Sequence, residues 1–89
     1  MKLIFCEECH DIVKLTRKLR ACECGRSQGQ YSGDGLHAII SGPCIPLGIS
    51  GSSFVQALRL RPAKGLGERF DAFVIAKKCD TILTIRRQA

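Results

Sequence analysis

Four cysteines near the start of the chain form two close pairs, Cys6 with Cys9 and Cys22 with Cys24. Zn²⁺ prefers four tetrahedral ligands, and two thiolates on one tight turn can reach a single ion. A chain reversal over the twelve residues between the pairs would deliver the second pair to the same ion. Gly25 follows Cys24 and can take a positive φ, which turns backbone N–H groups toward the cysteine sulfurs. The spacing therefore predicts one Zn²⁺ site formed by four cysteines.

A zinc site of this kind is expected to be structural rather than catalytic. Four thiolates close the coordination sphere and leave no open position for water or substrate. Structural zinc contributes roughly 10–16 kcal/mol in small zinc-finger peptides, which is comparable with the ~5–15 kcal/mol that stabilises a whole domain. A chain of 89 residues buries only a modest core, so a metal ion is a physically reasonable supplement to its stability.

Residues 1–30 resemble a zinc ribbon, and the four paired cysteines carry the resemblance. The stretch departs from the usual pattern twice. Its second pair is C-x-C rather than C-x₂-C, and His10 stands where a glycine often follows the first pair. The whole chain also resembles small, uncharacterised bacterial or phage-borne zinc-ribbon proteins, which implies no settled activity.

The short second pair leaves other ligand sets open. An alternative set keeps three of the paired cysteines and replaces Cys22 with His10, Cys44 or Cys79. Outside such a set, Cys44 and Cys79 are expected to be free thiols that pack as small hydrophobes. His10 is then expected to be a solvated neighbour of the site rather than a ligand.

Two other uses of the cysteines compete with metal binding. Six cysteines are compatible with three disulfides in a secreted miniprotein, but the first residues, MKLIFCEECHD, lack the pattern of a signal peptide. The Cys6–Cys9 pair has the spacing of dithiol redox proteins, but two glutamates separate its thiols and no helix is predicted after it. No run approaches ~18 apolar residues, the length that crosses a membrane. We therefore expect a cytoplasmic protein with reduced thiols and no membrane partner.

The chain is basic, with a formal net charge of +6 and a pI of about 9.3. A zinc site with four thiolates would lower the charge to about +4. Lysine and arginine side chains on a β-ribbon can follow the phosphates of nucleic acid. We therefore expect a non-enzymatic module that contacts nucleic acid through five cations, namely Lys14, Arg17, Lys18, Arg20 and Arg26.

The competing interpretation is that these cations occupy ordinary solvated positions on the strand and have no partner.

Aromatic residues that could stack on bases are scarce. Only five aromatic residues are present, and Tyr31 is the one expected at the surface. A platform on which bases could stack is therefore poorly supported, and contact through phosphates remains the expected mode.

A second function class is protein interaction. Residues 52–69 join a predicted helix to a loop and place Phe54, Leu58 and Leu66 near basic residues. This segment is a candidate surface for an adaptor or an inhibitor of a larger complex. No nucleophile–base set and no paired carboxylates stand out. No catalysis and no small-molecule substrate are therefore inferred.

The elements that position these residues are mainly strands, which makes the predicted fold class α+β and mostly β. Alternation over residues 12–20 predicts one strand that carries Lys14, Lys18 and Arg20 on a single face. The other predicted elements are a strand over 2–5, a hairpin of 26–32 and 36–41 with Asp34 and Gly35 at its tip, an edge or extended segment over 44–49, a helix over about 52–61 with a serine N-cap, and closing strands over 70–77 and 81–86 joined by a turn at 78–80.

We expect these elements to form one zinc-stabilised domain over residues 1–89. Its first part, residues 1–30, is the predicted zinc ribbon. Residues 31–89 continue it as a small antiparallel sheet with one short helix.

Overall fold

A computed structural model describes residues 1–85, which form eight strands and one helix. The elements are β1 (Lys2–Cys6), β2 (Ile12–Lys14), β3 (Arg20–Ala21), β4 (Gln28–Tyr31), β5 (Ala38–Ser41), β6 (Cys44–Ile49), α1 (Gly51–Arg59), β7 (Ala72–Val74) and β8 (Ile82–Ile85). The predicted class, α+β and mostly β with one helix, is confirmed.

The strands form two four-stranded sheets rather than one small antiparallel sheet. The first sheet has the order β2-β1-β6-β7, with every pair antiparallel. The second has the order β3-β4-β5-β8, and its β5–β8 pair is parallel. The two closing strands therefore lie in different sheets. Ile82 packs against the buried core, and this burial favours placing β8 beside β5.

The predicted strand over residues 12–20 is interrupted, which corrects the expectation of one basic strand face. β2 pairs with β1, whereas β3 pairs with β4 in the other sheet. Between them, the Leu15 N–H donates to Lys2 O at 3.1 Å, and Thr16 O accepts from the Tyr31 N–H at 2.7 Å. The chain thus passes from one sheet to the other at Leu15 and Thr16.

The burial pattern of this segment ends after Leu15, and hydrogen bonds of the Thr16 side chain explain the interruption. Val13 and Leu15 are buried, as the alternation predicts, but Leu19 is 60% exposed. The Thr16 hydroxyl donates to Lys18 O and accepts from the Lys18 N–H. Such a local hydrogen bond competes with strand pairing and stabilises a bend.

β6 lies inside its sheet, between β1 and β7, and the prediction of an edge strand at 44–49 is wrong. Pro46 is tolerated there because of where its missing N–H faces. Its carbonyl accepts from the Ile75 N–H at 2.9 Å, and the N and O of one strand residue point to the same side. The missing N–H of Pro46 therefore faces the position just after Val74 in β7. The pairing of β6 with β7 ends there, so no hydrogen bond within the ladder is lost.

The predicted hairpin is confirmed as the β4–β5 pair, with Tyr31 opposite Ala38. Its tip is organised by the Asp34 carboxylate, which accepts from the Ser32 hydroxyl and from the N–H groups of Leu36 and His37. These hydrogen bonds, the Ser32 hydroxyl first, lower the pKa of Asp34. The turn is therefore fixed by one ionised side chain, as is common for aspartate in turns.

The helix α1 confirms the predicted element to within two residues at its C-terminal end. Ser50 is its N-cap and accepts from the Ser53 N–H, which satisfies one unpaired donor of the first turn. Phe54 packs edge-to-face on Phe70, with ring centroids 5.0 Å apart. Phe70 is thereby held against the helix, and the strand predicted over 70–77 is limited to β7.

The strand predicted over 81–86 is present as β8. Its last predicted residue, Arg86, lies outside the described residues, as does Arg87. No helix within residues 1–85 is both long enough and apolar enough to span a membrane.

The hydrophobic core contains residues from both sheets and includes two of the paired cysteines, Cys6 and Cys22. Ile4, Leu15 and Ile40 are fully buried, together with Cys6 and Ser27. The turn between β5 and β6 covers this core. Gly42 has φ 92° there, and a Cβ on it would overlap the Arg26 carbonyl oxygen and lie 2.9 Å from Ser27 Cα.

The close approach of Gly42 to the neighbouring backbone generates a stability prediction. Gly42→Ala should lower the free energy of unfolding by roughly 2–4 kcal/mol, because overpacking and an unfavourable positive φ both act at this site. Gly33→Ala is the matched control, since its added Cβ meets nothing within 4 Å. Chemical denaturation of both zinc-loaded variants measures the effect. Equal stability of the two variants would show that the turn can yield without cost.

Candidate metal centre

The four paired cysteines converge on one point. Their sulfur atoms all lie within 4.8 Å of one another. Cys24 Sγ is 3.8 Å from Cys6 Sγ and 3.4 Å from Cys22 Sγ. Four sulfurs around Zn²⁺, with Zn–S bonds of about 2.3 Å, lie roughly 3.8 Å apart at the corners of a tetrahedron. The cluster therefore has the size that one tetrahedral metal ion requires.

Cys22 belongs to this group, so the C-x-C pair delivers both of its sulfurs. Among residues 1–85, the grouping does not include His10, Cys44 or Cys79, which the alternative ligand sets would need. Cys79 Sγ lies 3.3 Å from Thr81 Oγ1. His10 stacks on Phe5 with ring centroids 5.5 Å apart.

The first pair lies on the turn between β1 and β2. Cys6 ends β1, and the His10 N–H donates to Cys6 O at 2.8 Å. The Cys6 N–H donates to Asp11 O at 2.9 Å and closes the turn. His10 has φ 62°, so it adopts the left-handed conformation that a glycine takes more easily. Its stacking on Phe5 offsets part of that cost.

The second pair lies on an equivalent turn between β3 and β4. The Gly25 N–H donates to Cys22 O at 3.0 Å, and the Cys22 N–H donates to Ser27 O at 2.9 Å. Gly25 has φ 79°. His10 lies four residues after Cys6, whereas Gly25 lies three residues after Cys22. Both turns are closed by a hydrogen bond across five residues, and only the inner hydrogen bond of the C-x-C turn is one residue shorter.

Several contacts hold the two turns together. The Glu23 N–H donates to Asp11 Oδ2 at 2.9 Å, and Arg26 Nη1 forms an ion pair with Glu8 Oε2 at 2.6 Å. The turn between β5 and β6 touches both halves, because the Glu7 N–H donates to Pro43 O while Gly42 packs on Arg26 and Ser27. These contacts fix the two turns relative to each other and so hold the four sulfurs on one point.

The thiols influence one another's ionisation. The Cys9 N–H is the main cause of a lowered pKa at Cys6. At Cys22, burial disfavours the thiolate, but the Ser27 N–H and the neighbouring thiols outweigh burial and lower the pKa to about 6. At Cys24, the Arg26 N–H favours the thiolate, but the neighbouring thiols, Cys22 first, raise the pKa to about 12. Four adjacent thiolates repel one another, so the metal-free cluster retains protons.

A divalent cation changes this balance. It binds the thiolate form, so its binding displaces the protons that the four thiols retain, and its affinity rises with pH. Cys24 is exposed, whereas Cys6 and Cys22 are buried, and an ion can therefore enter from the Cys24 side. Four soft sulfur donors in a tetrahedral arrangement fit Zn²⁺ and leave no position for a substrate.

A fifth thiol lies next to the cluster without joining it. Cys44 is opposite Cys6 in the β1–β6 ladder and is partly buried against the core, as the sequence predicts for a packing thiol. Burial raises the pKa of Cys44, and its S–H donates to Ser41 O at 3.6 Å. Cys44 therefore remains a neutral thiol that does not compete for the metal.

The five predicted nucleic-acid contacts are all exposed but do not lie on one strand. Lys14 is on β2 and Arg20 is on β3, in different sheets, while Arg17 and Lys18 lie on the connection between them. The Arg26 guanidinium is engaged by Glu8. We call the four remaining cations the basic connection, namely Lys14, Arg17, Lys18 and Arg20.

The expectation for Tyr31 is wrong. Tyr31 is half-buried, its hydroxyl accepts from the Lys2 N–H, and the Lys2 ammonium lies 5.6 Å from its ring centroid. The exposed aromatics are Phe70 and Phe73 instead. A base-stacking platform at Tyr31 therefore has no structural basis.

A groove of about 140 Å³ lies between α1 and the following loop. It is lined by Phe54, Ala57, Leu58 and Phe70, with Arg61 and Glu68 at its rim. The sequence predicted Phe54 and Leu58 as parts of an interaction surface. It did not predict Phe70 there, because Phe70 was assigned to a strand. Leu66, also indicated, is fully exposed and does not line the groove.

No family model, curated protein or solved structure matches the chain.

The cluster predicts a defined metal stoichiometry. The protein should bind one equivalent of Zn²⁺, and Cys22→Ser or Cys24→Ser should weaken binding by more than about 100-fold, since even outer-shell changes cost about 10–100-fold. Cys44→Ser and Cys79→Ser are the controls and should keep full affinity. Competition with a chromophoric chelator, combined with elemental analysis, measures both quantities. Retained affinity in Cys22→Ser would contradict the four-cysteine set.

Proposed function

We propose that this protein is a small, non-enzymatic zinc-binding module whose single metal ion is structural. The observation that carries this proposal is the convergence of four cysteine sulfurs, from turns of two different sheets, within 4.8 Å. A closed site of this type stabilises a fold and does not activate water. The free thiolates that the site needs also fit a reducing compartment, so the cytoplasm is the proposed location.

The proposed partner is nucleic acid, bound through the basic connection. Residues 12–21 contain four cations and no carboxylate, and all four cations are exposed. The six residue steps from Lys14 to Arg20 can extend over at most about 20 Å. That distance covers several successive phosphate groups on one nucleic-acid strand. The metal fixes the turns on either side of this connection. It thereby gives the cations a defined arrangement at low entropic cost.

Contacts of this kind do not read base sequence. Lysine and arginine side chains neutralise phosphates and release counterions, which makes binding dependent on salt. Four phosphate contacts predict a slope of about −3 to −4 in a plot of log affinity against log salt concentration. The proposed module therefore recognises a phosphate backbone, with discrimination supplied by other partners.

Charge reversal on the basic connection tests this partner. Lys14→Glu with Lys18→Glu should weaken binding more than about tenfold at roughly 50 mM salt, because two phosphate contacts become repulsions. Arg61→Glu with Lys64→Glu changes the net charge equally at exposed positions after α1 and should retain most of the affinity. Fluorescence anisotropy with a labelled DNA duplex and a labelled single-stranded RNA measures both variants. Equal losses would indicate attraction by net charge alone.

The groove beside α1 favours a second candidate function, binding of a protein segment. Its volume suits one large apolar side chain. Residues 59–69, around its rim, hold four cations and only one carboxylate, so charge complementarity favours an acidic segment. The partner chemistry proposed for this function is an apolar anchor residue with acidic neighbours.

Substitutions at Leu58 in α1 and at Leu60, the C-cap of α1, distinguish this function from nucleic-acid binding. A partner recovered after nuclease treatment should be lost with Leu58→Gln, because Leu58 lines the groove. It should be retained with Leu60→Gln, which changes a similarly exposed leucine outside the groove. Pull-down followed by cross-linking should map the bound segment to an acidic sequence around an apolar residue. Equal losses in both variants would contradict the groove.

A further inference from the structure

Ser27 carries a hydroxyl group that the fold leaves without a hydrogen-bond partner. Ser27 is 0% exposed, and its Oγ is the buried side-chain polar atom within residues 1–85 that has no partner. Leaving such a group unsatisfied costs roughly 1–3 kcal/mol. Buried hydroxyl groups in folded proteins are nearly always hydrogen-bonded, so this one calls for an explanation.

The backbone of Ser27 is fixed against the second cysteine pair. Its N–H donates to Cys22 Sγ at 3.3 Å, and its carbonyl accepts from the Cys22 N–H at 2.9 Å. Its hydroxyl favours the thiolate form of Cys6 and of Cys44, both in the first sheet, so it lies near their sulfurs without the geometry of a formed hydrogen bond. Ser27 is thus bonded to one turn of the metal site by its backbone and faces the other with its hydroxyl.

Water does not reach this hydroxyl. The turn between β5 and β6 covers it, and Gly42 packs so closely that an added Cβ would lie 2.9 Å from Ser27 Cα. The acceptors that the structure offers beside this hydroxyl are the two neighbouring sulfurs, Cys6 and Cys44.

The two sulfurs differ as acceptors once a metal is bound. Cys6 belongs to the four-cysteine cluster and becomes a thiolate, whose negative charge makes it a strong acceptor. Cys44 lies outside the cluster and keeps its proton, which it donates to Ser41 O. A neutral thiol is only a weak acceptor. Donation to Cys6 requires a small shift of the Ser27 side chain or of the Cys6 sulfur, because the two atoms are not aligned for a hydrogen bond in the present structure.

We propose that Ser27 is a positioning residue of the metal site, whose buried hydroxyl donates a hydrogen bond to the Cys6 thiolate when the metal is bound. This inference rests on the proposed function, because it requires a metal in the four-cysteine cluster. The hydrogen bond delocalises charge from a buried thiolate and fixes the direction of its sulfur. It also selects Cys6 over the adjacent Cys44 as the ligand supplied by the first sheet.

The experiment compares wild-type protein with Ser27→Ala, using Zn²⁺ competition and Co²⁺ as a spectroscopic probe. Ser27→Ala should weaken Zn²⁺ binding about 10–100-fold, the range of outer-shell partners. The sulfur-to-cobalt charge-transfer bands of the Co²⁺ form should shift, because Cys6 loses a hydrogen bond. Far-UV circular dichroism of the Zn²⁺-loaded variant should match the wild type, since the alanine side chain leaves no buried donor unsatisfied.

A double-mutant cycle with Cys44→Ala identifies the acceptor. Cys44→Ala alone should keep wild-type affinity and bands, and Ser27→Ala should have the same effect in that background as in the wild type. An effect that disappears in the Cys44→Ala background would overturn the assignment to Cys6. Unchanged affinity and unchanged bands in Ser27→Ala would overturn the inference itself. Failure of the wild type to bind Zn²⁺ or Co²⁺ would instead remove the metal site on which it rests.

Discussion

Electrostatic repulsion among four converging thiolates is the constraint on which this structure depends. The fold brings the sulfurs of Cys6, Cys9, Cys22 and Cys24 within 4.8 Å of one another, a separation at which four thiolates cannot coexist without a cation. The opposite directions of the pKa changes at Cys22 and Cys24 express this conflict. A divalent ion removes the conflict, and its binding free energy then becomes folding free energy.

The architecture distributes this constraint over both sheets. Each sheet contributes one turn, and each turn uses the same pattern of backbone hydrogen bonds around its first cysteine, from Cys6 to Asp11 and from Cys22 to Ser27. The core that joins the sheets is small and includes Cys6 and Cys22 themselves. The core and the candidate metal site therefore share side chains, since Cys6 and Cys22 belong to both.

Surface features depend on the same arrangement. The chain between the two turns must pass from one sheet to the other, and its cations follow that path instead of one strand face. The turn over Ser27 closes the interior side of the site, while Cys24 remains open to solvent. The helix and its groove lie elsewhere, held by the contact of Phe54 with Phe70. The groove is thus lined by none of the residues that form the cysteine cluster.

Local chemistry made much of this predictable from the sequence. The spacing of the cysteines, the Ser50 cap, the Asp34 turn and the alternation at Val13 and Leu15 are short-range signals, and each has its expected outcome in the structure. The tertiary structure decided what depends on distant residues: the division into two sheets, the interior position of Pro46, the pairing of β8 with β5, and the packing of Phe70 on α1. It also placed Ser27 beside Cys6 and kept Cys44 outside the cluster. The physical reason is that turns and caps are satisfied by neighbours in sequence, whereas strand partners and buried acceptors are settled by competition for a shared core.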